Sequence, residues 1–284
     1  AVVDTWAHAS YRGAKYYMSI DHVDLGHISN QEILVVHNGA DAYCTIDEND
    51  THSRLLSITV AINGSNVELT ATPIFSDLRV RFYRILLADN ESDASGTDFN
   101  TIGATTVSSS STALDSFVDT QYTGAHYVVV AVNNHDGSTI VDASISEVTV
   151  VTNGTNAYVA QGNEVLTDTR EDGLLNFTAA HDGSSTVTLS AHSQAGGSTT
   201  VNAFRIHMLA GDGTFSYDEL DSFSASTYQG AHYISVAKDD DNNASISEIS
   251  VVTDSTKVYH KVTKDQSSTS TPLIDYKSVL DSGT

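Results

Sequence analysis

The sequence has few of the residues that cross-link a chain or interrupt strands. It contains one cysteine, two prolines and one tryptophan in 284 residues. Cys44 has no second cysteine with which to form a disulfide within the chain, so packing must hold the fold together. Gly, Ser, Thr, Asn, Asp and Val are plentiful instead. This composition is typical of short strands joined by tight turns.

Positive charge is also scarce. The chain has 13 Lys and Arg against 36 Asp and Glu, which gives a formal net charge of −23. A nucleic-acid surface needs clustered Lys and Arg, and anionic lipid repels an acidic protein, so neither partner is expected. No apolar run reaches the roughly 18–20 residues of a membrane span, and no signal peptide is visible. The composition predicts a soluble, acidic molecule without membrane insertion.

Sequence patterns of catalysis are missing as well. We find no G-x-S-x-G elbow, no H-E-x-x-H motif, no phosphate-binding loop and no dinucleotide fingerprint. We therefore assign no residue to catalysis, to cofactor binding or to a metal, and we expect a protein that is not an enzyme and needs no cofactor.

The sequence does contain a threefold internal repeat. An Asp-(Thr/Ser)-aromatic triplet and a Gly-Ala-(Lys/His)-Tyr motif recur with the same step of nine positions (13 − 4, 124 − 115 and 230 − 221). The triplets begin at Asp4, Asp115 and Asp221, and the glycines are Gly13, Gly124 and Gly230. The glycines are 111 and 106 positions apart (124 − 13 and 230 − 124), which is the length of a domain rather than of a solenoid repeat.

Each repeat reads as a series of strands joined by hairpin turns. In the second repeat, Ala125–Val132 is a continuous apolar run, and Ser146–Thr152 largely alternates before Asn153-Gly154. Asn-Gly between alternating apolar residues is a strong hairpin signal. About seven short strands fit in about 106 residues without helical periodicity. The pattern predicts an all-β chain of tandem immunoglobulin-like antiparallel β-sandwich repeats.

The expected domain boundaries follow from this repeat. They are residues 1–110 for the first β-sandwich, 111–216 for the second and 217–284 for a partial third. The third repeat lacks its two closing strands and ends near Ser282-Gly283, so we expect either that the chain continues past Thr284 or that a neighbouring subunit donates a strand. The connector Ser92–Ala113 is rich in Ser, Thr and Gly and is expected to be a flexible joint or surface loop.

Strand alternation predicts which side chains face the cores. Leu34, Thr149 and Ser250 are expected to point away from them. Trp6, Phe117 and Phe223 are expected to serve as equivalent aromatic anchors of the leading strand. The inward set is Ile33, Val35, Ile58, Val67, Leu69, Val148, Val150, Phe177, Val187, Leu189, Ile249 and Val251.

Two sets of equivalent charged positions are candidates for a site. Lys15, His126 and His232 share one position; they are expected to face solvent, with a metal or ligand role for the histidines as the alternative. A second shared position is occupied by Glu32, Glu147 and Glu248. Because hairpin pairing places the start of one strand opposite the end of the next, we expect these carboxylates on a solvent face or edge. An ion pair or isopeptide link to the first set is the alternative.

Two acidic clusters offer oxygen ligands that calcium prefers. They are Asp47–Asp50 and Asp239–Asn243. Neither has the spacing of a known calcium loop, so both are expected to be polar loops.

One stretch resembles a known repeat type. Glu32-Ile33-Leu34-Val35-Val36-His37-Asn38-Gly39, with Lys15-Tyr16 before it and Ala42-Tyr43 after it, is similar to a unit of virion structural proteins of tailed phages, especially those of marine cyanobacteria. Thr152 and Thr253 stand where that unit has His. The resemblance covers the strand cores of all three repeats, supplies no catalytic residues and implies an extracellular virion location.

The resemblance implies a function that the residues alone leave open. A virion fibre, appendage or decoration segment would act as a spacer or host-attachment surface, with other copies, other virion proteins and a host-surface glycan as expected partners. One alternative is a bacterial surface adhesin or extracellular filament subunit with immunoglobulin-like repeats. Another is a glycan-binding module that uses exposed aromatics at Tyr16-Tyr17 or Phe82-Tyr83.

Overall fold

The fold consists of antiparallel β-sheets, and no residue that the structure describes is helical. The computed structural model describes residues 1–284 except 23, 26, 51–53, 89–98, 134–141, 168–172, 196, 210–220, 225–229, 239–242, 254–257, 268–273, 275, 277 and 279–284. Within these described ranges, no helix is long and apolar enough to cross a membrane. The all-β prediction is confirmed.

In the part of the chain that the structure describes, eighteen strands make up five sheets. The strands are β1 (Val2–Ala7), β2 (Gly13–His22), β3 (His27–His37), β4 (Ala42–Asp50), β5 (Leu56–Asn63), β6 (Asn66–Pro73), β7 (Leu78–Leu87), β8 (Phe99–Val107), β9 (Thr112–Val118), β10 (Tyr122–Asn133), β11 (Asp142–Thr152), β12 (Ala157–Leu166), β13 (Leu175–His181), β14 (Thr186–Ser193), β15 (Thr199–Leu209), β16 (Gly230–Lys238), β17 (Ala244–Thr253) and β18 (Val258–Ser267).

Strand pairing repeats along the chain. The first repeat has sheets of order β1-β6-β5 and β4-β3-β2-β7, and the second has β9-β14-β13 and β12-β11-β10-β15. Each strand of the first repeat thus has a counterpart with the same neighbours in the second. The third repeat contributes β16-β17-β18, the counterpart of β2-β3-β4. The strand order within the sheets thus follows the repeat of the sequence motifs.

Each of the first two repeats encloses a core between its two sheets. Trp6 and Val67 from one sheet meet Tyr16, Ile33 and Val35 from the other in the first repeat. The second core has the same plan, with Phe117 and Val187 packed with Val148 and other side chains. Every predicted inward residue of these two repeats is buried, and so is Ile249 of the third, whereas Val251 is half-buried.

An Asp-Tyr-Arg cluster joins the two sheets in each of these repeats. Tyr16 donates to Asp4 at 2.9 Å, and Arg84 donates to the same carboxylate. Tyr127, Asp115 and Arg205 repeat the arrangement, with the tyrosine again 2.9 Å from the carboxylate. Burial, followed by the negative charge of Asp115, holds the pKa of Tyr127 well above its usual value.

The third repeat keeps the aspartate and tyrosine of this cluster. Burial, followed by the hydrogen bond to Asp221, raises the pKa of Tyr233 to about 12. Phe223 departs from the predicted anchor role, since it is only half-buried and lies outside any strand. The predicted turn at Ser282-Gly283 lies outside the described residues.

The predicted joint between the first two repeats is partly a strand. Phe99–Val107 forms β8, which pairs with β15 and adds a fifth strand to the sheet of the second repeat. The expectation of a flexible joint over Ser92–Ala113 was therefore wrong for this part. The Thr and Gly content suggested a loop, but β8 gains ladder hydrogen bonds along β15 that composition does not reveal.

The acidic cluster Asp47–Asp50 is also part of a strand rather than a loop. It is the end of β4, where Asp47 pairs with Glu32 and Glu48 with Gln31. Glu48 accepts a hydrogen bond from Arg54 at 2.8 Å. The other predicted acidic loop, Asp239–Asn243, lies outside the described residues except for Asn243.

The sheets are buried on their second faces as well. Leu34 and Val36 of the first repeat pack with Val128, Val130 and other residues of the second in a separate apolar cluster. Leu34, Thr149 and Ser250 do point away from the cores between the paired sheets, as predicted, but all three are buried. The repeats are therefore packed together through the faces that an isolated repeat would expose.

Candidate functional site: a buried ring of charges

The register of β2 and β3 brings Lys15 and Glu32 onto one face. Lys15 lies opposite Leu34, and Glu32 lies opposite Tyr17 two positions along. Side chains at such diagonal positions share a face and are within reach when one is long. The Lys15 ammonium lies 3.3 Å from Glu32. The expectation that hairpin pairing separates these residues was wrong, because Glu32 lies in the middle of β3.

The shared positions of the three repeats converge in one buried cluster. Lys15 contacts the Glu147 carboxylate of the second repeat, and both side chains are at most 1 % exposed. His126 Nδ1 lies 3.1 Å from Glu248 of the third repeat, and both are at most 2 % exposed. The expectation that Lys15 and His126 face solvent was wrong, because another repeat covers this face.

The third contact closes the cluster into a ring. His232 Nδ1 lies 3.0 Å from Glu32 of the first repeat. The basic position of each repeat thus meets the glutamate of the next in the cyclic order first to second, second to third and third to first. Three equivalent β-hairpins thus meet through one cycle of contacts. We call these six side chains the charge ring: Lys15, Glu32, His126, Glu147, His232 and Glu248.

Neighbouring polar groups hold the ring side chains in place. Asn163 donates to Glu147 Oε2 at 2.9 Å. Thr149 Oγ1 and Ser250 Oγ lie 3.2 Å from Nδ1 of His126 and His232 respectively. Since a buried charge needs partners for its remaining lone pairs and protons, these contacts reduce the free-energy cost of removing the ring from water.

The glycine of the repeated motif lets neighbouring strands approach closely. A Cβ on Gly124 would lie 2.7 Å from the carbonyl oxygen of Val150, and one on Gly230 would lie 2.6 Å from that of Val251. A Cβ on Gly13 would meet a side-chain carbon of Val130 in the second repeat at 2.9 Å. The glycine is thus a packing requirement next to the ring, beyond its place at the start of a strand.

The ring has three carboxylates and one ammonium. With both imidazoles neutral, its formal charge is −3 + 1 = −2. Such an excess inside a protein is costly unless protons or a cation balance it. The arrangement can therefore bind a cation.

The sequence patterns single out all six residues but do not predict that their side chains lie together in one cluster. The missed signal is the apolar run of β10, where Tyr127, Val129 and Ala131 face one core and Val128 and Val130 face another. Strands buried on both faces read as continuous apolar runs rather than alternating ones. Such a run predicts a covered outer face, and with it a buried Lys or His.

A groove between the first and third repeats opens beside the ring. Arg81, Phe82 and Tyr83 line it from one side, and Gly230 and His232 line it from the other. Tyr83 is 65 % exposed and Phe82 is 37 % exposed. Of the two aromatic pairs predicted to bind glycans, only this one offers exposed rings, because Tyr16 is fully buried and Tyr17, which also lines the groove, is half-buried.

Comparisons with known proteins give little guidance. No protein-family model matches the chain, and no curated protein is similar to it in sequence. Among solved structures, the tailspike protein of Acinetobacter phage vB_ApiP_P1 matches at 15 % identity and a TM-score of 0.28. The match covers 44 % of this chain and 26 % of the tailspike. A likeness this low carries no argument about fold or function.

Proposed function

We propose that the chain is a non-catalytic structural segment of a phage virion, located in a fibre, appendage or decoration protein. The observation that carries this proposal is the use of one strand plan three times, with the copies joined through a common buried ring. Copied domains give length and a repeating surface, whereas an enzyme needs one asymmetric pocket. The resemblance of Glu32–Gly39 to virion structural repeats supports the same function.

The proposal also includes the architecture of the chain. Two facing sheets and seven paired strands in each complete repeat suit an immunoglobulin-like sandwich. The proposed units are residues 1–110, 111–216 and a partial third at 217–284, with β8 pairing across the first boundary. Other copies and other virion proteins are the proposed partners, and neither nucleic acid nor a membrane is among them. The net charge of −23 suits a particle surface exposed to saline medium.

Immunogold electron microscopy tests the location. Antibody raised against the recombinant chain should label tail, neck or head appendages of purified phage particles. Labelling of bacterial surfaces without particle labelling would support the adhesin alternative and refute this proposal. Incubation of the chain with host polysaccharide should release no oligosaccharide; release would refute the non-catalytic assignment.

Glycan binding is a second candidate function, favoured by the groove beside Tyr83. An exposed ring offers a flat apolar face for a sugar, and Arg81 and Asn30 supply hydrogen-bonding groups next to it. We infer that an attachment role, if the segment has one, is located here.

Removing the Tyr83 ring tests whether glycans bind in this groove. Tyr83→Ala should abolish binding to a glycan array at an unchanged melting temperature, because the side chain is mostly exposed. Tyr43→Ala, at a partly exposed tyrosine outside the groove, is the matched control. Equal binding by both variants would exclude the groove.

A further inference from the structure

The charge ring holds the ligand types that a divalent transition metal prefers. His126, Glu147 and Glu248 each offer one nitrogen or oxygen, and these atoms lie within 4.8 Å of one another. All three side chains are at most 2 % exposed. We propose that this part of the ring is a metal site that joins the second repeat to the third, independently of the proposed virion function.

The distances suit one ion shared by these ligands. His126 Nε2 lies 3.7 Å from Glu147 Oε1, and His126 Nδ1 lies 3.1 Å from Glu248 Oε1. Two ligand atoms bonded to one zinc ion at about 2.0–2.2 Å lie roughly 3–4 Å apart. Because one ion binds only one ring nitrogen of His126, binding at Nε2 requires Glu248 to turn from Nδ1 towards Nε2; the three residues each offer a ligand atom within 4.8 Å of the others.

Charge balance identifies the kind of ion. Imidazole binds a metal in its neutral form, so the ring side chains together carry −3 + 1 = −2. One divalent cation cancels this charge. An imidazole nitrogen among carboxylates favours Zn²⁺, Mn²⁺, Co²⁺ or Ni²⁺ over Mg²⁺ and Ca²⁺, which prefer oxygen ligands.

The surroundings act as a supporting layer for the ligands. Asn163 donates to Glu147 Oε2, which leaves Oε1 facing His126 and Lys15. Thr149 Oγ1 lies 3.2 Å from His126 Nδ1 and can accept its proton, which would leave Nε2 for the ion. Such contacts orient metal ligands and raise affinity. The second group of this kind, Glu32, His232 and Glu248, shares Glu248 but is less buried at His232.

Titration of the full chain with Zn²⁺ after treatment with EDTA tests the proposal. We expect one ion per chain by isothermal titration calorimetry and native mass spectrometry, with a higher melting temperature, and no such effect from Mg²⁺. His126→Gln and Glu248→Gln should each weaken binding by about tenfold or more. His192→Gln, at a histidine hydrogen-bonded to Gln194 on the surface, should bind as the parent does.

The possible outcomes distinguish zinc bound in the charge ring from zinc bound at the protein surface. Failure of the parent to bind Zn²⁺, or equal binding by the parent and the two ring variants, would overturn the proposal. If neither ring variant folds, the X-ray absorption spectrum of zinc bound to the parent chain decides instead. A spectrum with one imidazole among carboxylate oxygens supports the site, and a spectrum with several imidazoles or only water overturns it.

Discussion

Lys15 is a charged side chain without exposed surface, held between Glu32 and Glu147. Replacing it with Met keeps much of the volume but leaves two buried carboxylates without their cation. We expect Lys15→Met to destabilise the fold by about 3–5 kcal/mol, since breaking a buried pair leaves an uncompensated charge. Urea unfolding monitored by circular dichroism measures the loss.

Lys261→Met is the matched control for Lys15→Met. Lys261 donates to Asp47 at 2.5 Å, but the two side chains are 39 % and 31 % exposed. Water and salt screen such a pair, so the variant should lose only about 0–1 kcal/mol. Similar losses in the two lysine variants would show that the Lys15 charge is not buried in solution.

The hairpin turn at Asp182-Gly183 gives a prediction about pH. Hydrogen bonds from the backbone N–H groups of Thr186 and Ser184 lower the pKa of Asp182 from 3.8 to about 2. A lowered pKa in the folded state means that the ionised carboxylate stabilises the turn above pH 3.8 and that this stabilisation is lost as pH falls towards 2.

Asp182→Asn should therefore be less stable than the parent at neutral pH, with a difference that shrinks as pH falls from about 4 to about 2. Chemical unfolding at several pH values measures this difference. Titration of the carboxyl carbon by NMR should place the midpoint of Asp182 at about 2. A midpoint near 3.8 would contradict the turn hydrogen bonds.

The alternation of residues along a strand specifies which face points to the core, and a substitution within one strand tests this assignment. Val150 on β11 is fully buried in the core of the second repeat. Val150→Asp should cost roughly 3 kcal/mol or more, because it buries a charge without a partner. Val118→Asp on β9 is the control, since Val118 is 39 % exposed. Equal melting temperatures for the two variants would contradict the face assignment.

Turns and the inward faces of strands could be predicted because the residues that determine them are close together in the sequence. Gly154 and Gly183 have φ values of 83° and 80°, which glycine adopts without strain, and alternation fixed Val148 and Val150 on the core side. Strand pairing between segments that are far apart in sequence leaves no such local sequence pattern. β8 lies against β15 more than 90 residues away (199 − 107 = 92), and composition alone made its sequence resemble a linker.

At the scale of the whole molecule, the ring could not be predicted because it depends on which sheet faces meet. Lys15 and Glu147 are 132 positions apart, and neither residue type indicates burial. Pairs such as Lys15–Glu32 form within one hairpin, whereas the contacts that close the ring run from one repeat to the next. The second copy of the hairpin covers a face that would otherwise expose Leu34, Val36 and Lys15.

Packing between repeats distinguishes a compact molecule from sandwiches on a flexible string. Ile145 is fully buried in the apolar cluster shared by the first two repeats, and its side chain lies next to Gly13. Ile145→Asp places a charge in this cluster but outside both sandwich cores. We expect the repeats to separate while each keeps its own core, because the cluster draws on the outer sheet faces.

Small-angle X-ray scattering together with circular dichroism measures this separation. The radius of gyration of Ile145→Asp should exceed that of the parent, while the β-sheet signal is unchanged. Thr59→Asp, at an exposed position of β5, is the control and should scatter as the parent does. An unchanged radius of gyration would mean that the shared cluster does not hold the repeats together. Loss of the β-sheet signal would mean that the repeats fold only as one unit.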